Sequence, residues 1–253
     1  MIELTVALPL WNAKHIAWLA LEGLCRQEDV TFDWELIIAE EQTSNSFGEN
    51  DVNKYKDRLC TAGCQRINYM SLKSWIPLAQ KWRLMAVHSD SNSKVFVPQA
   101  ADCFSQPKRL SEVYDYVWNQ GFHWVWYPRS YFYMIPTDEV TIKGFYQSVK
   151  KNQNCKGFHY AFRTQDGRKL PNANRKRVID KWLWQKIQKV VGKGYKWKCI
   201  ESPDWNRGFN THGFHNLSTR RYKRLLDKKR TSSGPWPKDV MKRLKELKGL
   251  ARI

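Results

Sequence analysis

Leu4-Thr5-Val6-Ala7-Leu8-Pro9, running into Leu10-Trp11-Asn12, and Trp34-Glu35-Leu36-Ile37-Ile38-Ala39, running into Glu40-Glu41-Gln42, are two short apolar segments that each end on polar residues. Both read as buried strands, the first closed by a proline. Between them, after Asn12 as a candidate N-cap, Ile16, Leu19, Ala20, Gly23 and Leu24 fall on one helical face. Working outward, Ile67-Asn68-Tyr69-Met70 is a third strand, and Leu78, Trp82, Met85 and Ala86 mark a helix. Lys94-Val95-Phe96-Val97-Pro98 is a fourth strand, running into Gln99-Ala100-Ala101-Asp102. After Pro107, Leu110, Val113, Tyr114, Val117 and Trp118 give another helical face. Strand and helix in alternation predict an α/β layer with a mainly parallel sheet flanked by helices.

The later chain changes texture. Phe122 to Tyr127, Tyr131 to Ile135 and Gly157 to Phe162 are aromatic strands, and Trp182, Leu183, Ile187, Val190 and Val191 line a helix stopped by Gly192. Tyr195 to Ile200 is a further strand. From Pro235, the spacing of Val240, Leu244, Leu247 and Ala251 predicts a basic amphipathic helix.

In open α/β sheets ligands bind beyond the carboxyl ends of the strands. Three such ends carry Pro9, Trp11 and Asn12, then Glu40 and Glu41, then Asp102. Together they make a polar cleft suited to a metal and a phosphorylated ligand; singly, the acids read equally as solvated loop residues or helix caps.

Their order resembles family 2 glycosyltransferases of GT-A fold, in which a "VSVIIPTYN" strand and turn precede an "EIIVVDDGS" strand. The resemblance implies a Rossmann-like GT-A fold, a nucleotide-sugar donor (UDP-sugar favoured) and inverting transfer. Glu40 and Glu41 stand where paired aspartates contact base and ribose. Val95-Phe96-Val97-Pro98-Gln99-Ala100-Ala101-Asp102 resembles the family's metal stretch, with Gln99 at its first aspartate, Ala101 at the middle acid and Asp102 at the last, the usual metal ligand. A third block, from Val178 to Asn216, places Asp180 near the family's acidic pair, as the base for the acceptor hydroxyl. It also places His212 at a late histidine that completes the metal or diphosphate site. The implied cofactor is a divalent metal, Mn²⁺ or Mg²⁺, on Asp102 and His212. The nucleotide-sugar site is then Pro9, Trp11, Asn12, Glu40, Glu41, Gln99 and Asp102.

Charge addresses the acceptor. The chain has 253 residues and a net charge of +19. Residues 1–102 hold 10 Lys/Arg against 13 Asp/Glu, whereas residues 103–253 hold 33 against 11, so the whole excess lies in the second part. That asymmetry predicts a polyanionic partner. Arg175, Lys176, Arg177, Arg220, Arg221, Lys223, Arg224, Lys228, Lys229 and Arg230 form the basic runs, with aromatics interleaved. Basic groups neutralise phosphates while aromatic faces stack on bases, which favours DNA, with hydroxylated bases as acceptor. An acceptor glycan at an anionic membrane, contacted peripherally by the basic tail, is the second reading. A nucleic-acid-binding protein on a decayed transferase scaffold is the third. The expected organisation is a transferase domain over 1–216, with a donor half (1–102) and an acceptor half (103–216), and a basic extension over 217–253. Composition excludes collagen-like and low-complexity chains, and no apolar run approaches the roughly 20 residues of a membrane span. The N-terminus reads as a strand, not a signal peptide. The six cysteines are mostly far apart. A cytoplasmic protein with reduced thiols is expected.

Overall fold

The computed structural model describes residues 1–134, 139–144, 158–172, 179–200, 208–212, 230–231 and 236–247. Its first strand, β1 (Ile2–Leu10), is central because it is apolar on both faces. Leu4, Val6, Leu8 and Leu10 enter one core and Ala7 the other, all fully buried. β2 (Asp33–Glu41) and β3 (Cys64–Leu72) lie parallel on one side, and β4 (Val95–Pro98) parallel on the other. Farther out come β9 (Phe158–Arg163), antiparallel to β4, then β6 (Trp124–Tyr127) and β10 (Trp197–Cys199). The seven-stranded order is β10-β6-β9-β4-β1-β2-β3. A second sheet, β12-β8-β7-β11-β5, joins β5 (Cys103–Ser105), β7 (Arg129–Met134), β8 (Glu139–Gly144), β11 (Gly208–His212) and β12 (Arg230–Thr231). The expected mixed, mainly parallel α/β layer is what forms.

One face of the large sheet is covered by α1 (Trp18–Leu24) and by the late helix α8 (Lys238–Glu246). The other face is covered by α4 (Leu78–His88) and α7 (Ile179–Val191), packed through Trp82, Met85, Trp182, Leu183 and Ile187. Shorter helices are α2 (Glu49–Asn53), α3 (Lys56–Thr61), α5 (Arg109–Tyr114) and α6 (Thr164–Arg168). At the amino end of the sheet the buried Glu35 carboxylate accepts from Thr5 Oγ1 at 2.7 Å, the Asp90 amide at 2.7 Å and Arg66 Nη2 at 2.6 Å. That bonding ties three strands in register.

Three local expectations change. Asn12 does not cap α1. Its φ is +48°, and Ala13 to Ala17 form turns that delay the helix to Trp18. The helix after Pro107 passes into a π-helical turn at Asp115–Asn119. The extra residue per turn breaks the 3.6-residue phase, so Trp118 is exposed with Lys94 Nζ 4.7 Å above its ring. The tail helix forms from Lys238, and its apolar stripe faces inward: Trp236, Val240, Leu244 and Leu247 join the core of β1 and α1. Arg243 stacks 4.0 Å over Trp18, and Arg26 reaches Asp239 at 2.5 Å. This stripe is therefore not free to insert into a bilayer, and the outward face carries Lys238, Lys242 and Lys245. Among the described residues no helix is long and apolar enough to cross a membrane, and Cys25, Cys60 and Cys64 are free thiols. Cys155, Ala251 and Ile135 lie outside the described residues.

Candidate active site

The cleft opens where the ladder between β1 and β4 must stop. The last backbone bond between the two strands runs from the Gln99 amide to the Ala7 carbonyl at 2.8 Å. Pro9, two residues on, has no N–H to continue. β1 has β2 on one side and β4 on the other, so this is also the switch point at which α/β sheets bind ligands.

The end of β2 walls the cleft. Glu40 is fully buried; its carboxylate accepts from the Phe47 amide at 2.7 Å, the Gly48 amide at 2.9 Å and the Tyr69 hydroxyl at 2.6 Å. Burial, then the bond to Glu40, raises the Tyr69 phenol above its usual range and keeps it a donor. Glu41 is buried against Lys81, which reaches it from α4 and also donates to the Leu10 carbonyl at 2.9 Å. Its other oxygen accepts from the Ile76 amide at 3.3 Å. Burial lowers the Lys81 ammonium below its ordinary range, with the Glu41 contact opposing it. One ion pair thus pins the end of β1 and the loop after β3, beside two half-exposed indoles, Trp11 at 48% and Trp75 at 47%. Both carboxylates, expected from the sequence to contact base and ribose, are instead buried and engaged by protein donors behind the cleft surface.

At the end of β4, Gln99 is buried rather than presented to the cleft. Its amide nitrogen donates to the carbonyls of Ala100 and Cys103 at 3.0 and 2.6 Å, folding the turn that carries half-buried Asp102. Its oxygen accepts from Ser105 Oγ at 2.7 Å and from Arg109.

The strand that carries His212 is anchored on the strand that follows the Asp102 turn. β11 pairs antiparallel with β5 through Gly208 with Ser105, Phe209 with Phe104 and Asn210 with Cys103. Beyond Asn210, β11 runs on through Thr211 and His212 alongside Tyr133 and Met134 of β7. The Asp102 carboxylate, with phosphate oxygens, is a donor set that suits Mn²⁺ or Mg²⁺. Asp180 is the second residue of α7, in its first turn. Arg230 sits in β12 opposite Thr141. Arg175, Lys176, Arg177, Arg220, Arg221, Lys223, Arg224, Lys228 and Lys229 lie outside the described residues.

No protein-family profile matches the chain, and no curated protein does. Solved structures do. Staphylococcus aureus TarS (residues 1–349, in complex with UDP-GlcNAc) superposes with a TM-score of 0.63 at 11% identity, over 85% of this chain and 60% of that one. The same protein with UDP gives 0.60 at 10% identity, over 98% and 70%. The mannosyltransferase PcManGT from Pyrobaculum calidifontis, in complex with GDP-Man and Mn²⁺, gives 0.58 at 13% identity, over 97% and 69%. The chain spans 37% of the longer TarS structure. Identity is low throughout, so the likeness is one of backbone. Strand order, the small second sheet and these superpositions together give the chain the GT-A, Rossmann-like fold of nucleotide-sugar glycosyltransferases.

Proposed function

We propose that the chain is a glycosyltransferase that moves a sugar from a nucleotide-sugar, UDP-linked by preference, to a hydroxyl acceptor with inversion. The observation that carries this reading is the convergence, at the carboxyl edge of one sheet, of Pro9, Trp11, Asn12, Glu40, Glu41 and Asp102, with the end of β11 alongside. Trp11 offers its exposed face to the base, and Glu40 and Glu41 hold the cleft walls from behind through their bonds to Phe47, Gly48, Tyr69, Ile76 and Lys81. Asp180 takes the proton from the acceptor hydroxyl as its oxygen attacks the anomeric carbon. The bond from that carbon to the diphosphate breaks, and the nucleoside diphosphate leaves. Asp102 and His212 would hold a divalent cation, which supplies neutralising charge to the leaving diphosphate.

The acceptor we favour is a polyanion, DNA with hydroxylated bases first, because the positive excess is confined to residues 103–253. A target base inside a duplex would have to be flipped out. A membrane-associated glycan is the second reading; with the α8 stripe turned inward, it would rest on charge alone. A donor-by-acceptor screen read by mass spectrometry, with Mn²⁺ and with EDTA, tests the proposal. Mass gain of one hexose or N-acetylhexosamine on DNA supports it. Donor hydrolysis without any acceptor gain would retain the enzyme and discard DNA. No donor turnover at all would favour the non-catalytic scaffold suggested by Gln99 and Ala101.

A further inference from the structure

Arg109, in the first turn of α5, is fully buried, and its bonds all go to neutral groups. Nη1 donates to Gln99 Oε1 and to Ser105 Oγ at 2.9 Å, Nη2 to the Pro98 carbonyl at 2.9 Å, and Nε has no partner. Among the described residues no carboxylate pairs with it. Buried charges are ordinarily paired, since an isolated one is costly to remove from water. Burial pulls this guanidinium down to about 10, so it stays charged at neutral pH. Nearby His159 is lowered as well: burial and then the Arg109 charge hold its imidazole well below the ordinary range, so it stays neutral.

Gln99 explains how the charge is kept unneutralised. A carboxylate at this position would pair with Arg109. The glutamine presents a neutral oxygen to the guanidinium and uses its N–H groups on the Ala100 and Cys103 carbonyls, which an acid could not do. The charge therefore lies one side-chain amide behind the turn that presents Asp102. We propose that Arg109 is a fixed positive charge behind the Asp102 turn, held there by Gln99, and that it acts through this turn as a positioning residue for the diphosphate of the nucleotide donor. The inference rests on the nucleotide-sugar reading of the cleft. It assigns Gln99 and Ala101 a sense: with fewer acids facing the diphosphate, a charge built into the protein does part of what a fuller acidic cluster would recruit a cation to do. In a site that excludes water such a charge is weakly screened.

The test compares Arg109→Met and Arg109→Lys with the wild type, measuring UDP and uridine affinities by calorimetry in EDTA and in Mn²⁺. Arg109→Met should bind UDP about tenfold more weakly in EDTA, the scale of one charge acting on a diphosphate through a partly screened medium, with uridine unchanged. Arg109→Lys, which keeps the charge but not the fork, should recover most of that loss. Equal losses in both variants, or parallel losses of UDP and uridine, would make Arg109 purely structural and overturn the proposal. Should Arg109→Met fail to fold, the wild type still decides: UDP binding no better than uridine in EDTA means that no fixed charge is felt. Absence of any binding of UDP, GDP or their nucleosides by the wild type would instead remove the nucleotide reading, and this inference with it.

Discussion

Lys81→Met isolates the ion pair that organises the cleft at the carboxyl end of β1. Lys81 and Glu41 have side chains only 5% and 3% exposed, and the same ammonium also satisfies the Leu10 carbonyl. Removing the cation while leaving the acid strands a buried carboxylate whose remaining bond is the Ile76 amide at 3.3 Å. Breaking a buried pair from one side costs about 3–5 kcal/mol. For a chain of this size each kcal/mol moves the midpoint by roughly 2–4 °C, so a fall of about 10 °C is expected. Glu41→Gln with Lys81→Met removes both charges, and the double variant should recover at least about 2 kcal/mol of the single variant's loss. Because Leu10 and Ile76 adjoin Trp11 and Trp75, uridine affinity should fall in the single variant and return in part in the double. Chemical denaturation of the four proteins in the cycle, with uridine calorimetry, gives both numbers. Single-variant losses below about 1 kcal/mol, or strictly additive losses, would refute the view that this pair is a buried hub.

Trp11→Ala should weaken UDP and uridine alike by about tenfold, the scale of one base–aromatic stack, and leave the thermal midpoint nearly unchanged because the indole is half exposed. Asp180→Asn should cut transfer by about 10²-fold or more while UDP affinity by calorimetry stays the same; wild-type turnover would rule out the assigned base. Asp166 is buried, with Oδ2 unpartnered, and burial raises its carboxyl above the ordinary 3.8, with Arg163 and Lys169 opposing. A raised acid destabilises the fold above its folded pKa and is relieved as pH falls toward the unfolded value. Asp166→Asn should therefore be the more stable protein at pH 7, the advantage vanishing toward pH 4 in denaturation curves. DNA affinity by anisotropy should fall with log salt at a slope near −5 if about six phosphates are neutralised, and reversing exposed Lys238, Lys242 and Lys245 to Glu should flatten it; salt-insensitive binding would remove DNA from consideration.

The strands of the donor half were legible because each is apolar on both faces and short. Leu4 to Pro9, Trp34 to Ala39 and Val95 to Pro98 all fall within β1, β2 and β4 or within one residue of them. The positions of Glu40, Glu41 and Asp102 at or just beyond the carboxyl ends of β2 and β4 were legible because each follows directly on an apolar run. What escaped were charged residues on apolar faces. Lys81 falls between Leu78 and Trp82 on the stripe of α4, and Arg109 sits next to Leu110 on that of α5; Lys81 is buried against Leu10 and Glu41, far away in sequence, and Arg109 against Pro98, Gln99 and Ser105 of the segment just before its own helix. A cation in phase with an apolar stripe was the available signal. The π-helical turn that exposes Trp118 left no such mark, since a helical repeat assumes a constant phase.

The seat of α8 on α1 also has a temporal meaning. Arg26 meets Asp239 across 213 positions of chain, and Trp18 and Leu21 share their core with Val240 and Leu244. At about 5–20 residues per second, synthesis leaves that side of α1 bare for roughly 10–40 s after it emerges. During that interval the nascent donor half presents an indole and a leucine stripe with nothing to cover them. A chain stalled before α8 would thus be a sticky one, and α8 would act as the seal on α1.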